Sequence, residues 1–539
     1  MISSSSSSPP TIGSLDDFLQ PLRMDLDRCH DLSRLFLANF AHLAAESPDQ
    51  FLPTPISASI LRPVADHGQG RHLAIDIGGT NLRVGFIQLL AKQPPALAVN
   101  GFASNRWSNG QAATTSTPPP GRIQRHLEKS WPISNQLKSD NADSLFSWIG
   151  KCIAEVVEEG CRTLQIPRDA PLPLGVTFSF PTEQRCLSEA TITSMGKGFA
   201  LPPDGELGAR LQQGYDEARV AAHLPPIRVV AIANDSVATL VSFIFNYNDT
   251  AHRQAAMGLI LGTGSNATVP LRSNRLHASK RPQKVSVLPG EVVDDDVVIA
   301  VNTEWSIRGT APPMRQLGLI TRWDDELSAQ NETPGFQPLE YMTAGRYLGE
   351  LGRIMLLSYM TETLGLRQGA LPSALLEAHS LTTTFLGHFK PPGPAAALVS
   401  KLRTAFPERQ ETGFAWTEHL AEALYRIAKA IELRAAGIIS AGILALLTLA
   451  EELPAEGGSQ GPDARELGVG YTGGCIVHFQ DYLADCQRLV DGLVAKRYGE
   501  ETQVRVALSP CHDGGITGAG ILVAAALSSQ EARDASRAS

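Results

Sequence analysis

Apolar residues recur along this chain at two characteristic spacings, which separate predicted helices from predicted strands. Between residues 15 and 45, leucines and phenylalanines recur every three or four positions, which places them on one face of a helix. This segment is therefore predicted to be a helical lead-in to the rest of the chain. The same spacing predicts later helices at 142–159, 337–363 and 416–452.

Three stretches combine short apolar runs with a polar, glycine-rich corner. In the first, residues 73–87, two apolar runs flank the corner at 78–81, so the stretch is predicted to be a β-hairpin. Residues 257–269 and 467–477 repeat this order of strand, corner and strand. The repetition predicts a duplicated fold with a cleft between its halves.

Other strands are predicted from apolar runs that do not alternate with polar residues. Residues 174–181 and 227–235 are almost continuously apolar, as expected for a sheet that is covered on both faces. Polar residues end the second run, where α/β sheets bind their ligands. A strand at 504–508 and a glycine-rich turn at 512–520 precede a terminal apolar helix. The predicted fold class is therefore α/β.

Three segments are predicted to lie outside the folded core. Residues 1–14 contain a serine run without the basic residues or apolar core of a signal peptide, and they are predicted to be disordered. Residues 91–138 are rich in Pro, Ser, Thr, Asn and Gln, and most of this stretch is predicted to be a mobile surface insertion. Residues 528–539 are predicted to be a disordered tail.

Composition and charge indicate the class of protein and argue against some classes of binding partner. Hydrophobic residues make up 43% of the 539-residue chain and charged residues 19%, which fits a globular protein with a large core. The net charge of -9 argues against a surface for nucleic acid or anionic membrane. The most apolar window, 435–450, is shorter than the ~20 residues that span a bilayer and is predicted to be a buried helix. Seven scattered cysteines without a C-x-x-C pair predict reduced thiols and a cytoplasmic location.

The corner of the first hairpin has the composition of a phosphate-binding turn. Gly78 and Gly79 permit positive φ and remove side chains, so backbone N–H groups there can face an anion. Thr80 and Asn81 add side-chain donors. Asp76 would repel a bare phosphate, so it indicates a phosphate-bound Mg²⁺ beside it. The alternative is an ordinary hairpin with a partly buried aspartate, since the stretch matches neither G-x-G-x-x-G nor the Walker A pattern.

Nine short motifs follow one another along residues 15–527, outside the insertion. They lie at 76–84, 178–181, 196–199, 234–240, 262–267, 302–305, 335–340, 347–350 and 513–515. Among them are Asp-Ile-Gly-Gly-Thr-Asn at 76–81, Asn-Asp-Ser at 234–236 and Gly-Thr-Gly-Ser at 262–265. In this order the motifs resemble those of the eukaryotic hexokinases.

The resemblance implies two actin-like (ribonuclease H-like) α/β lobes, with an interlobe cleft that closes over sugar and ATP. It implies a helical lead-in at 15–71 that packs on the large lobe, a small lobe at 72–235 and a large lobe at 236–511. The helix at 512–527 would return to the small lobe. The implied reaction is ATP-dependent phosphorylation of glucose or a similar hexose at the 6-hydroxyl, the first step of glycolysis, with Mg²⁺ and ATP as cofactors.

The resemblance also implies roles for individual residues. Asp235, at the end of an apolar strand, would be the general base for the attacking hydroxyl, and Lys197 would neutralise the transferring phosphoryl group. Asp76 would face Mg²⁺ through the ATP phosphates. The implied sugar ligands are Ser179, Asn234, Asn266, Glu304, Gln337 and Glu340. The implied nucleotide ligands are Asp76, Gly78, Gly79, Thr80, Asn81, Gly262, Thr263, Gly264, Ser265, Gly473, Asp513 and Gly514.

The same residues also fit simpler roles, and the same family pattern fits other functions. Asn234 and Asp235 would equally cap the helix that follows them, and Lys197 would be an ordinary surface lysine. A hexokinase-like sugar sensor with little turnover is the main alternative function, and a related kinase with a different substrate is a third. The sensor is suggested by four departures from the family pattern, at Gly196, Thr472, His512 and Gly515. Ala238 and Ser306 also replace family glycines.

Overall fold

The structure is a computed structural model of the chain. The predictions for Gly196, Lys197, residues 1–13 and residues 91–121 fall outside the part that it describes. The described residues are 14–57, 70–90, 122–139, 142–180, 182–192, 205–247, 252–282, 284–285, 296–390, 395–409, 411–455 and 464–538.

These described residues contain thirteen strands and seventeen α-helices. The strands are β1 (Leu52–Ser57), β2 (Gly70–Ile77), β3 (Asn81–Leu89), β4 (Ile123–Pro132), β5 (Leu172–Phe178), β6 (Thr182–Cys186), β7 (Glu189–Ile192), β8 (Ile227–Ala233), β9 (Arg253–Leu261), β10 (Ser265–Arg272), β11 (Val298–Asn302), β12 (Arg465–Thr472) and β13 (Val504–Pro510). The helices are α1 (Leu15–Leu19), α2 (Leu26–Glu46), α3 (Asn135–Ser139), α4 (Ala142–Thr163), α5 (Leu207–Ala222), α6 (Asp235–Asn246), α7 (Ala311–Gln316), α8 (Arg322–Ala329), α9 (Pro338–Thr343), α10 (Leu348–Ser358), α11 (Ser373–Leu376), α12 (Thr383–Gly387), α13 (Ala395–Ala405), α14 (Glu418–Leu449), α15 (Gly474–His478), α16 (Tyr482–Tyr498) and α17 (Gly514–Ala538).

The chain forms two compact units. The first unit contains residues 1–52, 251–281 and 301–512. The second unit contains residues 53–250, 282–300 and 513–539. The sequence assigned residues 236–250 to the large lobe, but α6 belongs to the second unit because its apolar side chains share a buried core with α17.

The second unit is built on a five-stranded sheet in the order β4–β3–β2–β5–β8. β2, β5 and β8 are parallel, and β3 runs antiparallel to its neighbours β2 and β4. Apolar residues of α4 and α5 pack on one face, and those of α6 and α17 pack on the other. The predicted hairpin at 73–87 and the predicted burial of both faces of the sheet are therefore confirmed.

Part of the predicted surface insertion is ordered secondary structure. Residues 123–132 form β4, which pairs with β3, and α3 follows directly. β4 is the edge strand of its sheet, and all its residues are at least partly exposed. Because neither face of this strand is fully buried, its sequence lacks the apolar alternation that would have identified it.

The first unit contains four neighbouring strands of a sheet, in the order β10–β9–β12–β13. β9 and β10 form the second predicted hairpin, which is confirmed. The third prediction, a hairpin at 467–477, is wrong. β12 pairs in parallel with both β9 and β13. Because two parallel strands cannot be joined by a tight turn, β12 leads instead into the short helix α15.

Two helices complete the comparison with the sequence. The apolar window of α14 is 89% buried inside the protein, so the predicted buried helix is confirmed. α17 continues to Ala538, so the prediction of a disordered tail at 528–539 is wrong. This tail contains Ala, Gln, Glu and Arg, which are residues that favour helix formation.

Glu432 is a fully buried carboxyl group on α14, with Lys429 Nζ 2.6 Å from its Oε2. Burial raises the pKa of Glu432 from its usual 4.5 to about 7; Lys429 opposes this shift, and Asp485 and Asp481 add to it. The folded protein therefore holds this proton more tightly than the unfolded chain does. The resulting stability is fully present below about pH 4.5 and is lost as the pH rises to about 7.

We expect Glu432→Gln to remove this pH dependence. The unfolding free energy of the variant, relative to the wild type, should rise between about pH 5 and 7 and level off above that range. Chemical denaturation across this range measures the difference. Glu422→Gln, an exposed position on the same helix, is the matched control and should show no such rise. If the unfolding free energies of Glu432→Gln and the wild type differed by the same amount at every pH, the raised pKa of Glu432 would be contradicted.

Candidate functional site

The second unit brings the ends of three parallel strands to one edge of its sheet. Asp76 lies near the end of β2, while Ser179 directly follows β5 and Asn234 directly follows β8. The Ser179 N–H donates to Ile77 O at 3.0 Å, which holds Ser179 beside the first hairpin corner. Residues that the sequence assigned to sugar and to phosphate therefore share this edge, where α/β sheets bind ligands.

Asn234 and Asp235 begin helix α6 at this edge. Asn234 is its N-cap, since Oδ1 accepts the Ser236 N–H at 2.9 Å, so the predicted capping role is correct for Asn234. Asp235 is the first helical residue, and its Oδ1 accepts the same N–H at 2.8 Å. Asp235 is half-buried, and the N-terminus of a helix favours a negative charge. The arrangement fixes the Asp235 carboxylate at this edge of the sheet.

A chain of ion pairs runs along the same edge. Arg83 Nη2 lies 2.7 Å from Asp76 Oδ2, and Arg83 Nη1 lies 2.6 Å from Asp513 Oδ1. Arg125 Nη1 lies 2.6 Å from the other carboxylate oxygen of Asp513. Both oxygens of Asp513 are therefore engaged by arginines. In this structure the residue joins β3 and β4 to the start of α17, a structural role that the sequence did not suggest.

Burial raises the pKa of Asp76 from its usual 3.8 to about 6. Arg83 opposes this shift, and Asp235 and Asp513 add to it. A carboxylate that is 7% exposed loses most of its hydration, and one guanidinium does not restore it fully. A bound cation would supply the missing positive charge.

The hairpin corner differs in detail from its prediction. Gly78 and Gly79 are not among the glycines with positive φ. Gly78 instead permits a close approach, because a Cβ there would lie 3.1 Å from Asn81 O. The Gly78 N–H donates to this oxygen at 3.0 Å, so it closes the turn. Thr80 and Asn81 are exposed at the corner, as donors to a phosphate would be.

Glycines at the start of α17 let this helix approach the site closely. A Cβ at Gly515 would lie 2.7 Å from Asp76 Oδ2, and one at Gly514 would lie 2.8 Å from Thr239 Oγ1. Thr177 Oγ1 donates to Gly515 O at 2.9 Å and ties the helix to β5. Gly515, one of the departures from the family pattern, therefore makes room for the Asp76 carboxylate.

The first unit contains the second glycine corner, between β9 and β10. The Gly262 and Thr263 carbonyls accept the N–H groups of Gly345 at 2.8 Å and Arg346 at 3.2 Å, which holds the corner in place. Ser265 is buried and Thr263 is exposed. Gly473 packs against the corner, since a Cβ there would overlap the backbone of Leu261 and lie 2.6 Å from Gly262 N.

We expect Gly473→Ala to destabilise this corner. Gly473 has φ +132, which side chains rarely adopt, and the added methyl would overlap backbone atoms, so the unfolding free energy should fall by about 3 kcal/mol. The matched control is Gly499→Ala, at φ +91 with open space around the new methyl, which should cost only about 1 kcal/mol. Urea unfolding of both variants measures the difference. Equal costs would show that overlap at the corner has no effect.

A buried polar cluster lies beside this corner in the first unit. Asn266 Nδ2 donates to Asn302 Oδ1 at 2.9 Å and to Glu304 Oε1 at 3.1 Å. Asn302 Nδ2 donates to the same Glu304 oxygen at 2.8 Å. The Ser265 N–H donates to Glu340 Oε2 at 2.9 Å. These donors and acceptors can exchange partners with the hydroxyl groups of a polyol.

Predicted and observed site residues differ in a few places. Gln337 is half-buried and is the N-cap residue of α9, three residues before Glu340. Arg83, Arg125 and Asn302 were not predicted from the sequence to be site residues. Arg83 was detectable, because a hairpin with its corner at 78–81 places it opposite Asp76. Arg125 gave no signal, since it lies in a stretch that resembled a loop.

Comparisons with known proteins identify the family of this chain. A family model described as hexokinase matches residues 256–525, and a second with the same description matches residues 14–245. The chain belongs to the hexokinase family. Membership makes it a phosphotransferase of the sugar-kinase class and confirms the family predicted from the nine motifs.

Individual hexokinases agree with this assignment. Hexokinase-1 of Nicotiana tabacum is 28% identical over 473 residues, which are 86% of this chain and 80% of that protein. Hexokinase-2 of Oryza sativa subsp. japonica is 26% identical over 470 residues, 86% of this chain and 82% of that protein. A solved Schistosoma mansoni hexokinase, complexed with glucose, has a TM-score of 0.71 at 23% identity and covers 95% of this chain. This structural likeness confirms the predicted α/β hexokinase fold.

Proposed function

We propose that this chain transfers the γ-phosphoryl group of ATP to the 6-hydroxyl of glucose or a similar hexose, the first step of glycolysis. The observation that carries the proposal is the sheet edge of the second unit, where Ser179, Asn234 and Asp235 follow parallel strands beside the corner at 78–81. A hydroxyl, a carboxamide and a carboxylate at one edge suit a sugar whose hydroxyl attacks a neighbouring phosphoryl group.

Asp235 is the proposed general base. Its carboxylate is held at the first residue of α6, and it would accept the proton of the attacking hydroxyl. Proton removal by a positioned group contributes about 10²–10⁴-fold to a rate. Lys197 is proposed to neutralise charge on the transferring phosphoryl group, and this role rests on the sequence resemblance alone.

The proposed sugar ligands are polar residues that are mostly buried, and Asn234, Asn266, Glu304 and Glu340 already form side-chain hydrogen bonds. A sugar that replaces these hydrogen bonds must supply matching donors and acceptors, because each unmet buried polar group costs about 1–3 kcal/mol. The cluster therefore favours a polyol over an apolar ligand. The ligands are Ser179 and Asn234 in the second unit, and Asn266, Glu304, Gln337 and Glu340 in the first.

The nucleotide is proposed to bind at the two glycine corners. Gly79, Thr80 and Asn81 would contact phosphates in the second unit, with Asp513 and Gly514 supporting that corner, and residues 262–265 with Gly473 would contact the nucleotide in the first. The described residues hold no group of three or more His, Cys, Asp or Glu suited to a metal. An Mg²⁺ ion is proposed to arrive with the nucleotide and to face Asp76. Mg²⁺ in that position would neutralise phosphate charge.

The cysteines support a cytoplasmic location for this reaction. All seven are free thiols, and five of them are buried. Desolvation raises the pKa of the Cys29, Cys152 and Cys475 thiols to about 12, which keeps them protonated and unreactive. Free thiols are usual in a reducing compartment.

The position of phosphate on the product tests this proposal. Purified protein is incubated with Mg-ATP and glucose, or with 6-deoxyglucose as the matched control, and the products are examined by phosphorus NMR. We expect a phosphate ester coupled to the protons of carbon 6 with glucose, and no ester with 6-deoxyglucose. An ester at carbon 1, or equal transfer to both sugars, would contradict the proposed regiochemistry.

A further inference from the structure

The first unit contains a cavity of about 230 Å³ to which the proposed reaction gives no role. Residues from the 3₁₀ turn Arg308–Thr310, from α7, from α8 and from α9 line it. Its volume equals that of about eight waters in the liquid, which suits a small metabolite better than a drug-sized ligand.

One wall of the cavity is the back of the helix that carries a proposed sugar ligand. Pro338, Tyr341 and Met342 of α9 line the cavity, and their spacing of three and four residues places them on one helical face. Glu340 lies outside this lining set, and its Oε2 accepts the Ser265 N–H at 2.9 Å. A ligand in the cavity would therefore press on the face of α9 that is opposite the sugar cluster.

A second wall continues from the other proposed sugar carboxylate. Arg308 and Ala311 follow Glu304 by four and seven residues, and the Ile307 N–H donates to Glu304 O at 3.3 Å. Gln50 Nε2 donates to Glu304 O at 2.9 Å and to Thr310 Oγ1 at 3.2 Å. Gln50 thus links Glu304 to the cavity wall, so both walls adjoin residues proposed to bind sugar.

The lining combines cationic groups with an apolar floor. Arg308 and Arg315 contribute guanidinium groups whose side chains are 73% and 58% exposed. Arg308 lies 3.8 Å from Asp49, and Arg315 lies 3.3 Å from Asp325, an exposed carboxylate that also lines the cavity. Because such exposed ion pairs contribute little free energy, a bound anion can take the place of both carboxylates. Asp324, also in the lining, is already neutralised by Arg434 at 2.7 Å. The apolar surface comes from Ala311, Ile320, Pro338, Tyr341 and Met342.

We propose that this cavity is an effector site for a small anion with a planar apolar body, such as an aryl or enol phosphate or carboxylate. The anion would pair with Arg308 and Arg315, and the planar body would lie against Tyr341. By bracing α9, the bound anion would hold Gln337 and Glu340 in place and increase sugar affinity. The coupling to sugar rests on the proposed function. Binding of the anion in the cavity does not depend on that function.

Binding is tested on the full chain by calorimetry, without sugar or ATP. The probes are phenyl phosphate and benzoate. Inorganic phosphate and phenol serve as the separate halves of phenyl phosphate. We expect both complete probes to bind, and each half to bind at least about 10-fold more weakly. Arg308→Gln/Arg315→Gln should weaken binding of phenyl phosphate about 10-fold or more, whereas Arg322→Gln, an exposed arginine of α8 outside the lining, should not.

A second variant distinguishes loss of the binding site from loss of folding. Ala311→Trp fills the cavity without removing a charge, and it should abolish binding of both probes with an unchanged circular dichroism spectrum. Absence of binding at about 10 mM phenyl phosphate, or equal binding to wild type and both variants, would overturn the proposal.

Coupling is tested by measuring the dissociation constant for glucose from tryptophan fluorescence. Saturating phenyl phosphate should lower this constant about 3–10-fold in the wild type and leave it unchanged in Ala311→Trp. Probe binding at the cavity with no change in glucose affinity would overturn the effector role. Probe binding in a protein that forms no sugar phosphate would leave the cavity proposal intact and reject only the proposed reaction.

Discussion

Asp235→Asn is expected to lower the rate of sugar phosphorylation by about 10²–10⁴-fold with little change in sugar affinity. Asparagine keeps the shape of the side chain and an oxygen that can accept the Ser236 N–H, so the start of α6 should be preserved. It cannot accept the proton of the attacking hydroxyl. The variant therefore separates chemistry from binding more cleanly than alanine does.

The measurement is the initial rate of ADP release at saturating glucose and Mg-ATP, together with the rise in melting temperature that glucose causes. Asp216→Asn, a side chain that is 51% exposed on α5 of the same unit, is the matched control and should keep full activity. A variant at position 235 that retains more than about a tenth of the wild-type rate would exclude Asp235 as the base.

Arg434→Met is expected to lower the unfolding free energy by about 3–5 kcal/mol. Arg434 is 0% exposed, and its Nη1 and Nη2 donate to the two carboxylate oxygens of Asp324 at 2.7 and 2.8 Å. Asp324 is 3% exposed and also accepts the Thr321 N–H at 2.7 Å at the start of α8. Methionine fills similar space but leaves a buried carboxylate without its partner, and that desolvated charge is the source of the cost.

Two further variants isolate this cause, and urea unfolding measures all of them. Arg315→Met breaks an exposed ion pair with Asp325, the neighbour of Asp324 on the same helix, and should cost less than about 1 kcal/mol. Arg434→Met/Asp324→Asn removes the stranded charge but keeps an acceptor for the Thr321 N–H, so it should recover part of the loss. A cost for Arg434→Met no larger than that for Arg315→Met would refute the role of the stranded charge.

The features that the sequence predicted well depend on neighbouring residues. The two hairpins follow from short apolar runs around a glycine corner, and the corner also determines that Asp76 faces Arg83. The strand ends at Ser179 and Asn234 follow in the same way, because an apolar run that stops at a polar residue marks where a strand leaves the sheet. α14 was recognised as a core helix from its length and composition.

The features that the sequence missed depend on residues far apart in the chain. The turn after β12 resembles a hairpin, but the pairing of β12 with β9 and β13 makes it a strand-to-helix connection. The engagement of Asp513 by Arg83 and Arg125 joins three elements that only the folded sheet brings together. Gly515 looked like a loss of function, whereas in the structure it accommodates the Asp76 carboxylate. In each case tertiary contacts, which local patterns do not encode, decided the outcome.

The central claim, that this hexokinase-family chain catalyses sugar phosphorylation, is tested most directly by counting products. Purified protein is supplied with Mg-ATP, with and without saturating glucose, and ADP and sugar phosphate are measured in the same samples. We expect glucose-dependent ADP release matched by an equal amount of sugar phosphate. No ADP above the glucose-free control, in a protein whose melting temperature glucose still raises, would contradict the claim and identify a sugar-binding protein without transferase activity.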